Sequence, residues 1–162
     1  MIIGVISDTH IPTTAKRIPE TILDAFRRVD MVVHAGDMIG MEAIEELKTV
    51  CPKVIGVSGN MDNDEIRLKY PVKDLFKAGD FKIGLMHGFG PPANLISVLE
   101  DAFKLDKPDL IIFGHSHKPF NERVNGILFF NPGSATDTIT AEYNSYGIIE
   151  ITDRISARIV RI

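Results

Sequence analysis

The stretch IIGVISDTH, Ile2–His10, is an apolar run that ends abruptly on a carboxylate and an imidazole. Ile2–Ser7 has the pattern of a buried strand. Working outward, the same design recurs twice. Met31–Asp37 reads MVVHAGD and Val54–Asn60 reads VIGVSGN, each a short apolar run delivering glycine and then a polar side chain. Helical spacing fills the gaps. Pro19 opens Glu20–Arg28, with Ile22, Leu23 and Phe26 on one face. Met41–Val50 carries Ile44 and Leu47 behind an acidic first turn. The first half therefore reads β-α-β-α-β, which implies parallel strands joined by right-handed crossovers.

The second half changes character. Asp62, with Glu65 three residues on, has the form of a helix start for Asp64–Tyr70. Lys73–Ala78 and Phe81–Met86 flank Gly79-Asp80, a hairpin signal. Ala93–Leu105 follows Pro91-Pro92 and places Leu95, Ile96, Leu99 and Phe103 on one helical face, and Asp109–Phe113 is a further strand. Asn121–Val124 and Ile127–Asn131 flank Asn125-Gly126, the strongest short hairpin cue in the chain. Tyr146–Thr152 and Arg154–Ile159 form a last pair of alternating strands. The fold expected is α/β, with two mixed β-sheets packed face to face and helices flanking them. Neither a repeat nor a linker divides the 162 residues, so residues 1–162 are expected to form a single domain.

Composition narrows the class. An apolar fraction of 44% with 25% charged residues is ordinary for a globular chain. The net charge of -4 lacks the basic excess of a general nucleic-acid binder. The lone Cys51 has no intramolecular disulfide partner and reads as a small buried side chain near a helix end. The N-terminus has no basic leader, and no stretch approaches the roughly 20 apolar residues of a membrane span. A cytoplasmic location is the expectation. Unpaired strand edges leave a homo-dimer or tetramer open.

Chemistry concentrates where strands end. Asp8, His10, Asp37, Asn60, His87, His115 and His117 all lie in short glycine-flanked motifs after apolar runs. The steps from Asp8 to Asp37, Asn60, His87 and His115 are 29, 23, 27 and 28 residues. Each interval suits one crossover, or a comparable pair of elements, returning the chain to the same sheet edge, where open α/β sheets gather their sites. Any one motif is weak evidence, since Asp-x-His or Gly-Asp is usually a turn. Together they offer only nitrogen and oxygen donors, the set preferred by intermediate divalent metals, in number enough for two ions.

In this order the motifs D-x-H, G-D, G-N-x-D, H and G-H-x-H resemble the calcineurin-like metallophosphoesterases, over residues 8 to 117. The small size and the Gly-Asn-x-Asp form are most similar to the compact phosphodiesterase branch, which also contains the scaffold subunit of eukaryotic retromer. The resemblance implies an αββα sandwich and a binuclear centre. Asp8, His10 and His117 would hold one ion, Asn60, His87 and His115 the other, and Asp37 would bridge them. Asp37, Asn60 and His87 would stand nearest the chemistry. Such a pair of ions lies about 3.5–4 Å apart, lowers the pKa of a shared water and presents hydroxide for in-line attack on phosphorus. With two carboxylates and one hydroxide, roughly one positive charge remains, which favours an anionic phosphoryl group.

The implied function is a metal-dependent phosphodiesterase acting on a small phosphodiester, with no membrane partner. Manganese, nickel, iron, zinc or cobalt would suit the mixed donors better than magnesium alone. One departure stands out. The superfamily commonly has histidine after Gly-Asn, resembling a general acid, and this chain has Met61, which donates no proton. That substitution keeps a second reading in view: a retromer-subunit-like, protein-binding scaffold with a metal pocket and little turnover. Asp62, lacking the usual histidine partner, is expected to cap the following helix. His34 suits either support of a ligand or a buried strand end. Asn131–Ser134 reads as a structural turn, Arg17 as a surface residue, and Phe129-Phe130 as core.

Overall fold

The computed structural model describes residues 1–162. Its first sheet is built around β1 (Ile2–Ile6), which pairs in parallel with β2 (Met31–His34), itself parallel to β3 (Val54–Gly56). Two crossovers, α1 (Glu20–Phe26) and α2 (Glu42–Val50), connect these strands. After α3 (Asp64–Lys69) the chain enters a second sheet: β4 (Lys73–Ala78) and β5 (Phe81–Met86) as a hairpin, then α4 (Leu95–Phe103), β6 (Leu110–Ile112), β7 (Phe120–Val124) and β8 (Ile127–Asn131). It then returns to the first sheet through β9 (Ser145–Ile151) and β10 (Ile155–Arg161). The strand orders are β10-β9-β1-β2-β3 and β4-β5-β6-β8-β7, two mixed sheets of five strands.

Alternation along the strands sorts side chains into three apolar layers. Ile3, Val5, Met31 and Val33 face inward and meet Ile83, Leu85, Leu110, Ile112 and Phe130 of the other sheet. Ile6 and Val32 face outward and are covered by Ile22, Leu23 and Phe26 of α1 and Ile44 and Leu47 of α2. On the far side Ile111 and Phe129 are covered by Leu95, Leu99 and Phe103 of α4. Each such side chain, taken from water, stabilises the fold by about 1.5–3 kcal/mol. Burial on both faces is why the central strands read as continuous apolar runs. The neighbours Phe129 and Phe130 are both fully buried, one in each layer, so both belong to the core.

Local signals mostly land within two residues of the observed ends. Asn125 and Gly126 both have positive φ (50° and 88°), the geometry that a two-residue hairpin between right-twisted strands requires. The helix expected at Ala93–Leu105 is shorter. Pro92–Asn94 forms a 3₁₀ turn ahead of α4, and Lys107 at φ 49° turns the chain away after it. α3 is capped by Asn63, whose side chain accepts from the Ile66 amide at 2.9 Å. Asp62 therefore does not cap this helix, contrary to the sequence expectation, because its carboxylate is committed elsewhere. No helix is long and apolar enough to cross a membrane.

The same sheet edge collects the loops that leave β1, β2, β3, β5 and β6. Backbone bonds run from Asp8 N to Gly36 O (3.0 Å), from His10 N to Asp37 O (3.0 Å) and from Gly114 N to His87 O (3.1 Å). These stitch strand ends together within each sheet.

Candidate metal centre

A carboxylate bonds one sheet to the other at this edge. Asp8, fully buried at the end of β1, accepts from the His115 amide with both oxygens at 3.2 Å. A Cβ at Gly114 would collide with the Ser7 hydroxyl and the Asp8 carboxylate, so only glycine lets the second sheet approach this closely. Within the first sheet Gly59 allows a similar close approach to Asp37, whose carboxylate a Cβ there would overlap.

Side chains converge on these two carboxylates. Asp8, His10 and His117 bring ligand atoms within 4.8 Å of one another, and so do Asp8, Asp37 and His87. His117 Nε2 lies 3.3 Å from Asp8 Oδ1. Asp37 Oδ2 sits between His10 Nε2 (3.4 Å) and His87 Nε2 (3.2 Å). Both carboxylates thus lie between the two groups. Asn60 and His115 stand slightly apart: Asn60 Oδ1 meets His115 Nδ1 at 2.8 Å, and His115 Nε2 meets Gly90 O at 2.9 Å. The His115 ring still packs edge-on to His87, with centroids 5.3 Å apart. Five of the seven expected ligands come together directly, and the other two form a pair beside His87.

The backbone is strained here. Asp8, His10, Asp37, His115 and His117 all have φ between 46° and 69°. Left-handed backbone in non-glycine residues costs on the order of 1–3 kcal/mol each and persists only where surrounding contacts enforce it. The contacts are identifiable. The Asp62 carboxylate accepts from the amides of Asp37 (3.1 Å), Ile39 (2.6 Å) and Gly59 (2.6 Å), tying two ligand loops into one unit. His34 Nδ1 accepts from the Gly36 amide at 3.2 Å, which leaves the proton on Nε2 to face Thr9 Oγ1 at 3.0 Å. Ser134 Oγ donates to Asp8 O and Thr136 Oγ1 to Thr9 O, at 2.7 and 2.6 Å. The turn at Asn131–Ser134 is therefore structural, and what it supports is the Asp8–His10 loop.

Electrostatics follow from burial among opposite charges. Burial alone would raise the Asp37 carboxyl, but His10, His87 and the Met61 amide outweigh it and hold the group well below the usual carboxylate range. His87 is disfavoured as a cation by burial, yet Asp37 and Asp8 lift its pKa to about 9. Asp8, followed by Asp137, lifts His117 to about 9. His34 is driven down to about 4, chiefly by burial.

Sequence reasoning missed Asp137. Its Oδ2 lies 2.6 Å from His117 Nδ1, and the carboxylate also takes the Ile139 amide at 2.8 Å. It stands 20 residues from His117 in sequence, with no local pattern that links the two. Arg67 was also missed: it donates to Asp62 O at 2.8 Å and Asn60 O at 2.9 Å. Arg17 is a surface residue, paired with Glu46 and Glu20.

The donor set fits divalent metal. His87 Nδ1 donates to Ala35 O at 2.8 Å and His117 Nδ1 faces Asp137, so each ring aims Nε2 at a carboxylate. His10 Nε2 and His87 Nε2 are buried with no hydrogen-bond partner. Buried polar atoms without a partner are rare, and here both point at the same carboxylate oxygen.

A family model for the calcineurin-like phosphoesterase superfamily domain matches residues 1–154. The chain belongs to this superfamily. It is 41% identical over 136 residues to a probable metallophosphoesterase of Methanothermobacter thermautotrophicus, covering 84% of this chain and 78% of that protein. A phosphodiesterase of Methanocaldococcus jannaschii is 32% identical, covering 86% of this chain and 87% of its own length. Among solved structures, wild-type Vps29 complexed with Zn²⁺ from Entamoeba histolytica superposes with a TM-score of 0.79 at 29% identity, covering 99% of both chains. The fold and the superfamily expected from the motifs are thereby established. Superfamily members are phosphoesterases that bind divalent metals, and the residues converging here are of the kind such metals take.

Proposed function

We propose that this chain is a phosphodiesterase with a binuclear metal centre, formed by Asp8, His10 and His117 on one side and Asn60, His87 and His115 on the other, with Asp37 between. The observation that carries this reading is the convergence of two buried nitrogens that make no hydrogen bond, His10 Nε2 and His87 Nε2, on Asp37 Oδ2. When bound, divalent ions supply an activated water and stabilise charge on the phosphate oxygens during in-line displacement. The remaining work belongs to the chain. Asp37 and Asp8 offset repulsion between two cations. The Met61 amide, donating to Asp37 Oδ1 at 2.7 Å, leaves Oδ2 to face the imidazoles. Asn60 and His115, whose Oδ1 and Nδ1 lie 2.8 Å apart, would join His87 in holding the second ion.

Diester preference rests on the named phosphodiesterase relative, and leaving-group preference on Met61, which offers no proton donor. General acid assistance contributes about 10²–10⁴-fold. Without it, diesters with good leaving groups, such as aryl alcohols, are cleaved far faster than alkyl diesters. The test is hydrolysis of a bis-aryl phosphodiester beside the matching monoester, using metal-stripped protein refilled with manganese, nickel or zinc. Metal-dependent diester cleavage that disappears in Asp37→Ala supports the proposal. Absence of turnover with any metal, in folded and metal-bound protein, overturns it. That outcome would favour the second reading, a protein-binding scaffold, which the likeness to Vps29 supports.

A further inference from the structure

A cleft of about 270 Å³ opens beside the metal centre, and Asn60, Arg67, Val72, His87 and Phe89 are among the residues that line it. Asn60 and His87 are themselves candidate ligands, so a phosphoryl group held at the metals has its ester arm directed along this cleft. The volume lies just below the roughly 300–1,000 Å³ of pockets for drug-sized ligands. It suits one ring-sized arm rather than a polymer.

Two properties of the walls define that arm. Phe89 and Val72 are 56% and 64% exposed, large apolar side chains left in solvent at the mouth of a polar site. Arg67 is the second feature. Its Nε and Nη2 are pinned to the carbonyls of Asp62 and Asn60, it has no carboxylate partner, and Nη1 makes no hydrogen bond to the protein. A guanidinium fixed in this way is a stationary positive charge with a free donor, well suited to a planar anion.

Building on the phosphodiesterase reading, we propose that this cleft is an ester-arm subsite. It takes an aromatic ring against Phe89, with an anionic substituent on the ring reaching Arg67. The substrate class is thus a phosphodiester with one aromatic, acid-bearing arm. Rings stacked on an aromatic side chain gain energy beyond simple burial, and alkyl arms do not.

Non-hydrolysable phosphonates test this by direct titration calorimetry on manganese-loaded protein, with no turnover needed. Phenylphosphonate is expected to bind about tenfold tighter than methylphosphonate, the gain of burying one ring face. In Phe89→Ala that ratio falls to about two or less. 4-Carboxyphenylphosphonate is expected to bind several-fold tighter still, and Arg67→Gln, which keeps a donor for the two carbonyls, removes that increment. Equal binding of phenyl- and methylphosphonate, or a preference that survives Phe89→Ala, overturns the aromatic subsite. A carboxylate that adds nothing overturns the role of Arg67. Failure of every phosphonate to bind, methylphosphonate included, instead strikes the phosphoesterase reading on which the subsite rests.

Discussion

The inner and outer sides of the candidate metal centre are built differently. Asp8, Asp37 and His87 are at most 3% exposed at their side chains and are held largely by backbone groups from several loops. His10 and His117 are 15% and 18% exposed, and Asn60 opens to solvent. Two of the outer residues are held by side chains: His117 by Asp137, and Asn60 by His115. Backbone-held ligands belong to the folded core, so disturbing them disturbs the fold. Side-chain-held ligands can loosen alone, so disturbing them costs metal affinity and leaves the fold intact.

Asp62→Ala is the strongest way to break this contrast. It strands the amides of Asp37, Ile39 and Gly59, and each lost bond to a charged acceptor costs on the order of 1.5–3 kcal/mol. Allowing for water reaching some of them, the loss is roughly 3 kcal/mol. In a domain of this size the melting temperature falls by about 6–12 °C. Metal binding fails with it. A thermal shift below about 2 °C would mean that the two loops hold together without Asp62.

Asp137→Ala is the matching change outside. Loss of a partner that orients a metal-binding histidine typically costs about 10–100-fold in metal affinity or activity. Asp137 also accepts from the amides of Ile139, Thr140 and Ala141, but these belong to one exposed loop where water can replace it, so the fold should lose less than in Asp62→Ala, about 1–2 kcal/mol. Titration of manganese and a melting curve on the same preparation separate the two effects. Asp137→Asn keeps an acceptor oxygen and is expected to fall between wild type and alanine. A melting temperature lowered as much as in Asp62→Ala would erase the inner-outer distinction.

The contrast was only half legible in the sequence. Strand ends and their ligands could be read because burial on both faces leaves unbroken apolar runs, each stopped by glycine and a donor. Asp62 misled because Asp-x-x-Glu is also the pattern of a helix start, and the residue that caps α3 is its neighbour Asn63. Its three amide partners are 3 to 25 positions away, a contact that only the folded chain brings about. Asp137 escaped for the same reason, and Arg67 because it binds nearby backbone carbonyls, which no side-chain pattern marks. The left-handed backbone at five ligands was also invisible, because it is imposed by neighbouring loops rather than by the residues themselves.

Protons provide a subtler test, because metal and pH act on the same imidazoles. In metal-free protein His87 and His117 both have pKa values raised to about 9 by carboxylates, so both are cations at pH 7. Raised values stabilise the folded state fully below the unfolded pKa near 6.5, and that contribution is lost as pH climbs through about 9. Metal requires the neutral ring and must displace these protons. Melting temperature of the metal-free protein should therefore fall over this window while metal affinity rises. Calorimetry in buffers of differing ionisation heat should register up to about two protons released at pH 7. Heats independent of the buffer would contradict the charged state assigned to both rings.

Met61→His carries the smallest expected effect and tests the exposed rim. Met61 is 55% exposed and its contact with Asp37 is made by the backbone amide, so the replacement leaves that bond in place. An imidazole added here has an ordinary exposed environment and is protonated mainly below about pH 6.5. It supplies the proton donor that the methionine lacks, but with no partner built to orient it. A gain of about tenfold for alkyl diesters is expected, short of the 10²–10⁴-fold of an evolved general acid. Aryl diesters, whose leaving groups depart without a proton, should change little. The gain should also fade as pH rises above 7, when the new ring loses its proton. A uniform change across both ester types would mean that residue 61 affects the metals rather than the leaving group. The rim would then be coupled to the buried carboxylates, and the separation between outer and inner ligands would not extend to this position.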